Sequence, residues 1–129
     1  MNKFFLQLAA LLGAASVALG AFAAHGLKKL IAAESLQVFE TGVRYQFYHV
    51  FALLAAGMLY SQFNQNLLKW SGRMFIAGIL LFSGSLYCLA FFADTDTSLK
   101  WMGAITPFGG MAFIAGWLLL FTAIAKKKN

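Results

Sequence analysis

The chain has 129 residues, 61% of them hydrophobic and only 11% charged, with a net charge of +6 and a mean hydropathy of +0.75. A soluble domain keeps roughly a quarter of its residues charged to cover its surface, so these figures exclude a water-soluble globule and make lipid much of the solvent. The length suits a single domain. The lone cysteine, Cys88, excludes an intramolecular disulfide and speaks against a zinc cluster.

The first apolar run, 4–24, has the roughly 20 residues that a helix needs to cross the hydrocarbon core. Lys3 before it and Ala21-Phe22-Ala23 near its end also fit a cleaved signal peptide. The run exceeds the roughly 7–15 residues of a usual signal h-region. It also carries small residues at packing spacing, Ala10/Ala14/Ala18 and Ser16/Gly20/Ala24, so a retained helix is expected. Gly26 is expected to stop it in a left-handed conformation, with Lys28 and Lys29 suited to the carbonyl end.

A helical pattern resumes at Ser35. Leu36, Phe39, Val43, Phe47, Val50 and Leu54 form one stripe at spacings of three and four. Glu40, Arg44 and Tyr48 form a second, with Glu40 four residues before Arg44, as an ion pair prefers. This helix starts outside the bilayer, spans it over about 45–62, and has its expected bend at Gly42. A polar turn follows over 61–70. The third span, 73–93, holds Ser83-Gly84-Ser85, which lets a neighbouring backbone approach. Asp94-Thr-Asp-Thr-Ser98 reads as a tight loop in which Thr97 or Ser98 can cap the last helix. The fourth span, 101–125, contains Pro107 followed by Gly109-Gly110, where a kink or widened turn is expected. Lys126, Lys127 and Lys128 read as a headgroup anchor.

Four spans put both termini and the 61–72 turn on one side. That side holds Lys3, Lys69, Arg73, Lys126, Lys127 and Lys128 and no acid. The other holds Lys28, Lys29, Arg44, Lys100 and all four acids, so the termini are expected in the cytoplasm. Trp70 and Trp101 mark the two borders. The basic residues flank apolar runs, which points to orientation and not to nucleic acid.

His25, Tyr45, Tyr48, His49, Tyr87, Thr106 and Pro107 all map to the half of the bundle away from the termini. His49 falls ~6 Å inside that border. These residues can form an interhelical hydrogen-bond cluster or a ligand site. His25 fits a helix end bonded to a carbonyl or headgroup. Two histidines on adjacent spans permit axial haem ligation without being diagnostic of it. Asp94 and Asp96 are too few oxygens for calcium. Ser83 and Ser85 have no evident base beside them. No phosphate loop, metalloprotease motif or buried carboxylate pair is present.

Four segments occur in order: Gly20-Ala-Phe-Ala-Ala-His-Gly-Leu27, Thr41-Gly-Val-Arg-Tyr-Gln-Phe-Tyr-His49, Leu81-Phe-Ser-Gly-Ser-Leu-Tyr87, and Ile105-Thr-Pro-Phe-Gly-Gly110 with Gly116-Trp117. Together they resemble the YgdD/YwdK-like family of small multi-pass bacterial inner-membrane proteins, which has small mitochondrial transmembrane relatives. Ala23 stands where a glycine would be more familiar, a small-for-small change. The resemblance covers nearly the whole chain. It implies a retained first helix and four spans, and it implies no mechanism, because the family is uncharacterised.

The expectation is therefore an all-α, integral membrane four-helix transmembrane bundle in the bacterial inner membrane. It is a non-enzymatic protein without cofactor or metal. Its cluster of His25, Tyr45, Tyr48, His49 and Thr106 would bind a lipid or hydrophobic small molecule, or dock a larger membrane complex or a second copy. The alternatives are a haem- or quinone-handling redox accessory and a small transporter. The apolar half next to the termini argues against a transport pathway through a single copy.

Overall fold

The computed structural model describes residues 1–92, 101–126 and 128. The expected 94–98 loop, its caps Thr97 and Ser98, and Asp94, Asp96, Lys100 and Lys127 lie outside the described residues. Four long helices form an all-α membrane bundle: α1 (Lys3–Ala24), α2 (Ala33–Leu59), α3 (Gln65–Phe92) and α4 (Trp101–Ala125). The described residues contain no strand. Lys3–Lys29, Gln65–Phe92 and Trp101–Ala125 are long and apolar enough to cross a membrane. The helix α2 is as long, at 27 residues, but it is less apolar because it carries Glu34, Glu40 and Arg44 on its exposed face and Gln46 and His49 inside.

The helices alternate in direction. The Asn2 amide donates to the Gly57 carbonyl at 2.9 Å, joining the start of α1 to the end of α2. Ser83 donates to the Gly42 carbonyl at 2.7 Å, and Ser71 to the Gly116 carbonyl at 2.8 Å, so α3 runs against both α2 and α4. Two asparagines set helix starts. Asn2 accepts from the Phe5 amide, and Asn64 from the Leu67 amide, each at 3.1 Å. The Asn64 cap starts α3 inside the segment read from sequence as a turn.

The helix α1 buries Phe5, Ala9, Ser16 and Ala23 and sets Gly13 against Val50 and Gly20 against Val43 of α2. Ala10, Ala14 and Ala18 are exposed, so that stripe faces lipid and not a neighbour. Small-residue spacing marks a face that can pack, and here the apolar stripe of α2 selects the other one. The α2 stripe packs as its spacing implies, with Phe39 and Val50 buried and Leu36, Val43 and Leu54 against the core. Glu40, Arg44 and Tyr48 are exposed.

Three local expectations are corrected. Gly26 has φ −70°, and no described glycine is left-handed. Beyond α1 the chain instead tightens into a 3₁₀ turn, Leu27–Lys29, because Leu27 is drawn into a buried cluster with Ala23, Phe39 and Ala90. Gly42 does not interrupt α2; it is buried, and a Cβ there would lie 2.8 Å from the Tyr87 ring. The helix α4 runs unbroken through Pro107. The widened turn lies across the interface, as a π segment at Ile79–Ser83 of α3. There the two backbones meet: a Cβ on Gly109 would lie 2.3 Å from the Phe82 nitrogen. Beside it, Ser85 donates to the Phe82 carbonyl at 2.9 Å and pairs with Thr106 at 2.6 Å.

This backbone contact leaves no room for a methyl group. Gly109→Ala is expected to lower stability by about 1–3 kcal/mol. Gly103→Ala, where a Cβ meets nothing within 4 Å, is expected to leave stability unchanged or slightly raised. Unfolding of both variants in mild detergent checks the contrast.

Candidate functional site

The depth of the α2 polar residues follows from its pairing with α1. Phe22 of α1 lies beside Phe39, with ring centroids 6.4 Å apart, and Leu6 lies against Gly57. His49 is therefore ~15 Å along the axis from Phe39 and ~12 Å from Gly57. It is level with the middle of the apolar run of α1, not with one of its ends. The apolar run of α1 already covers α2 from near Phe39, several residues before the span boundary read from sequence. The polar residues accordingly reach mid-depth and are not confined to one half.

At this level α2 buries a primary amide. Gln46 donates to the Ser16 hydroxyl at 2.9 Å and to the Leu12 carbonyl at 3.2 Å, both on α1. Its carbonyl oxygen accepts from the Tyr87 hydroxyl of α3 at 2.6 Å. Ser16 in turn donates to the Leu12 carbonyl at 2.8 Å. Gly42, one turn before Gln46, leaves the space through which the Tyr87 ring reaches it. Sequence reasoning passed over Gln46 as a site residue. The available signal was its place on a stripe next to the core of a bilayer-length helix.

His49 is held just as firmly. The indole N–H of Trp117 donates to its Nε2 at 3.1 Å, and Nδ1 faces the Tyr45 carbonyl at 2.6 Å. Because the indole only donates, Nε2 is the acceptor and Nδ1 carries the proton. The ring stacks on Phe113 at 3.5 Å between centroids, with Phe75 at 5.8 Å. Around this platform, α2, α3 and α4 enclose a cavity of about 500 Å³ that opens towards lipid. Tyr45, Tyr48, His49, Phe82, Phe113 and Trp117 line it, together with Gly110 and Ile114. Tyr45 packs on Phe82 at 4.8 Å and on Tyr48 at 5.7 Å. Neither tyrosine hydroxyl has a hydrogen-bond partner among the described residues.

Three of the five expected site residues thus meet at one cavity: Tyr45, Tyr48 and His49. Thr106 stands apart, bonded to Ser85. His25 is exposed at the end of α1, with Nδ1 2.9 Å from the Ala21 carbonyl. Measured from the Ser16–Gln46 contact, His25 and His49 lie ~18 Å apart along the bundle, so one iron cannot touch both. No three metal-ligating side chains come together among the described residues. Trp117, read from sequence only as part of a motif, proves to be the partner of His49.

The amide cross-link is testable. Gln46→Leu removes three interhelical hydrogen bonds and leaves the Tyr87 hydroxyl only Ser83 beside it. Each such bond in a membrane protein contributes on the order of 0.6 kcal/mol. An overall loss of about 2 kcal/mol is expected in the same unfolding assay, with Tyr87→Phe less costly.

Residues 19–110 match a family described as a protein of unknown function, DUF423. The UPF0382 membrane protein SH2409 of Staphylococcus haemolyticus is 41% identical over 96% of this chain and 97% of its own length. The UPF0382 membrane protein YwdK of Bacillus subtilis is also 41% identical, over 96% and 98%. The UPF0382 inner membrane protein YgdD of Escherichia coli is 37% identical over 99% and 94%. No solved structure matches the chain. With four α-helices of membrane length and full-length similarity to these proteins, the chain belongs to the DUF423 family of UPF0382 membrane proteins.

Proposed function

We propose that this protein is a non-enzymatic binder of a hydrophobic molecule, a lipid or a smaller apolar compound, held in the aromatic cavity between α2, α3 and α4. The observation that carries the reading is that Tyr45 and Tyr48, whose hydroxyls have no hydrogen-bond partner among the described residues, line the same apolar cavity as the stacked His49 ring. A hydroxyl in hydrocarbon without an acceptor costs several kcal/mol. A ligand bearing a carbonyl or ether oxygen would remove that cost. The volume of about 500 Å³ lies within the range of small-molecule sites, and the stacked aromatic walls suit a flat or chain-like apolar body. His49 serves as wall and positioning residue, since both its nitrogens are engaged. We also place the protein in the bacterial inner membrane with its termini cytoplasmic, on the bias of lysine and arginine. A C-terminal alkaline phosphatase fusion is expected to be inactive.

Native mass spectrometry of protein gently extracted from its own membrane tests the ligand. A discrete added mass is expected on the wild type. Tyr45→Phe with Tyr48→Phe removes two hydrogen bonds of ~1 kcal/mol each, and retention should fall about 30-fold. Gly110→Leu fills the cavity from a position where a Cβ meets only the Phe82 ring at 3.9 Å, so it should abolish the adduct without unfolding the protein. A bare wild-type chain that co-migrates with another membrane protein would replace this reading with partner docking.

A further inference from the structure

At the end of the bundle that carries the termini, α1 and α3 leave a second cavity of about 210 Å³. It shares no residue with the aromatic one. Phe5 and Ile76 form apolar walls, and Lys69, Arg73 and Tyr60 bring polar ends to it. Lys69 and Arg73 are four residues apart on α3, so they share one face of the helix. The Arg73 guanidinium lies 4.9 Å from the centroid of the Trp70 ring, which holds it at the membrane border. Among the described residues no carboxylate lies at this end of the bundle. The sequence has no acid between residues 41 and 93, and none before Glu34. Glu34 and Glu40 lie in the first turns of α2, at the opposite end of the bundle.

Two cations that face one small cavity, with no counter-charge beside them among the described residues, fit an anion. Apolar walls that continue into the bilayer fit an anion carrying hydrocarbon. We propose that this corner binds the phosphate of an anionic phospholipid. Lys69 and Arg73 donate to the phosphate oxygens, and Phe5 and Ile76 lie against the first methylenes of an acyl chain. Arginine is suited to the role because its planar fork meets two oxygens at once while its face stays on the indole.

The test adds equimolar phosphatidylglycerol and phosphatidylcholine to the full-length protein in mild detergent and reads the retained lipid by native mass spectrometry. The wild type should prefer phosphatidylglycerol about tenfold, as one charge-assisted contact allows. Lys69→Gln with Arg73→Gln should abolish the preference, and Arg73→Gln alone should weaken it. Lys28→Gln with Lys29→Gln removes equal charge from the opposite end and should preserve it. The proposal is overturned if the Lys69/Arg73 variant keeps its preference while folded, or if the Lys28/Lys29 variant loses it equally, since the effect would then be general charge. Displacement of the lipid by millimolar inorganic phosphate also overturns it, by assigning the corner to a soluble phosphate compound. The melting temperature in phosphatidylcholine alone shows whether each variant is folded. Should the double variant not fold, Arg73→Gln decides between the same outcomes.

Discussion

A primary amide in the middle of a bilayer must find its hydrogen bonds within the protein, because the surrounding hydrocarbon offers none. Gln46 meets this requirement through Ser16 and Leu12 on one side and Tyr87 on the other. Much of the architecture follows. The helix α1 must present a hydroxyl and a carbonyl at one level, so its small-residue face turns to α2. The helix α3 must bring a tyrosine to the same level, which requires glycine at position 42. Lipid tails are as apolar as leucine and give helices little hydrophobic reason to associate. Polar cross-links and close backbone approach at Gly109 therefore set the register.

The aromatic cavity depends on this frame without being part of it. His49 follows Gln46 by three residues, so the amide cross-link fixes the level and direction of the imidazole. Trp117 and the Tyr45 carbonyl then use both ring nitrogens, leaving the ring a flat wall and not a free base or ligand. Tyr45 and Tyr48, by contrast, line the cavity with hydroxyls that have no hydrogen-bond partner among the described residues. A proton relay or an iron site at this ring would need the nitrogen that Trp117 occupies.

Much of this was legible in the sequence. The all-α membrane class followed from hydropathy and run length, and the α2 stripe from Leu36 to Leu54 named its packing face. Tyr45, Tyr48 and His49 stood out as polar aromatics on an apolar helix, and they do converge. What stayed hidden depends on distance in the chain. Ala10, Ala14 and Ala18 have the spacing of a packing face but face lipid, because spacing on one helix does not say where the next will lie. The link of Gln46 to Ser16 spans 30 residues, and that of His49 to Trp117 spans 68; neither leaves a local pattern. The π segment lies where Gly109 meets Phe82, so the irregularity foreseen at Pro107 surfaced on the neighbouring helix.

The low hydropathy of α2 bears on how the protein is made. A lone helix carrying Gln46, His49, Arg44 and Glu40 partitions poorly into lipid. The partners of the Gln46 amide N–H groups lie on α1, which the ribosome has already delivered when α2 emerges. The partner of its oxygen, Tyr87, arrives with α3, and the partner of His49 only with α4. Each of the last two helices satisfies a polar group that α2 leaves open. The order of synthesis thus matches the order in which the interior closes, and α1 and α2 enter the membrane most readily as a hairpin.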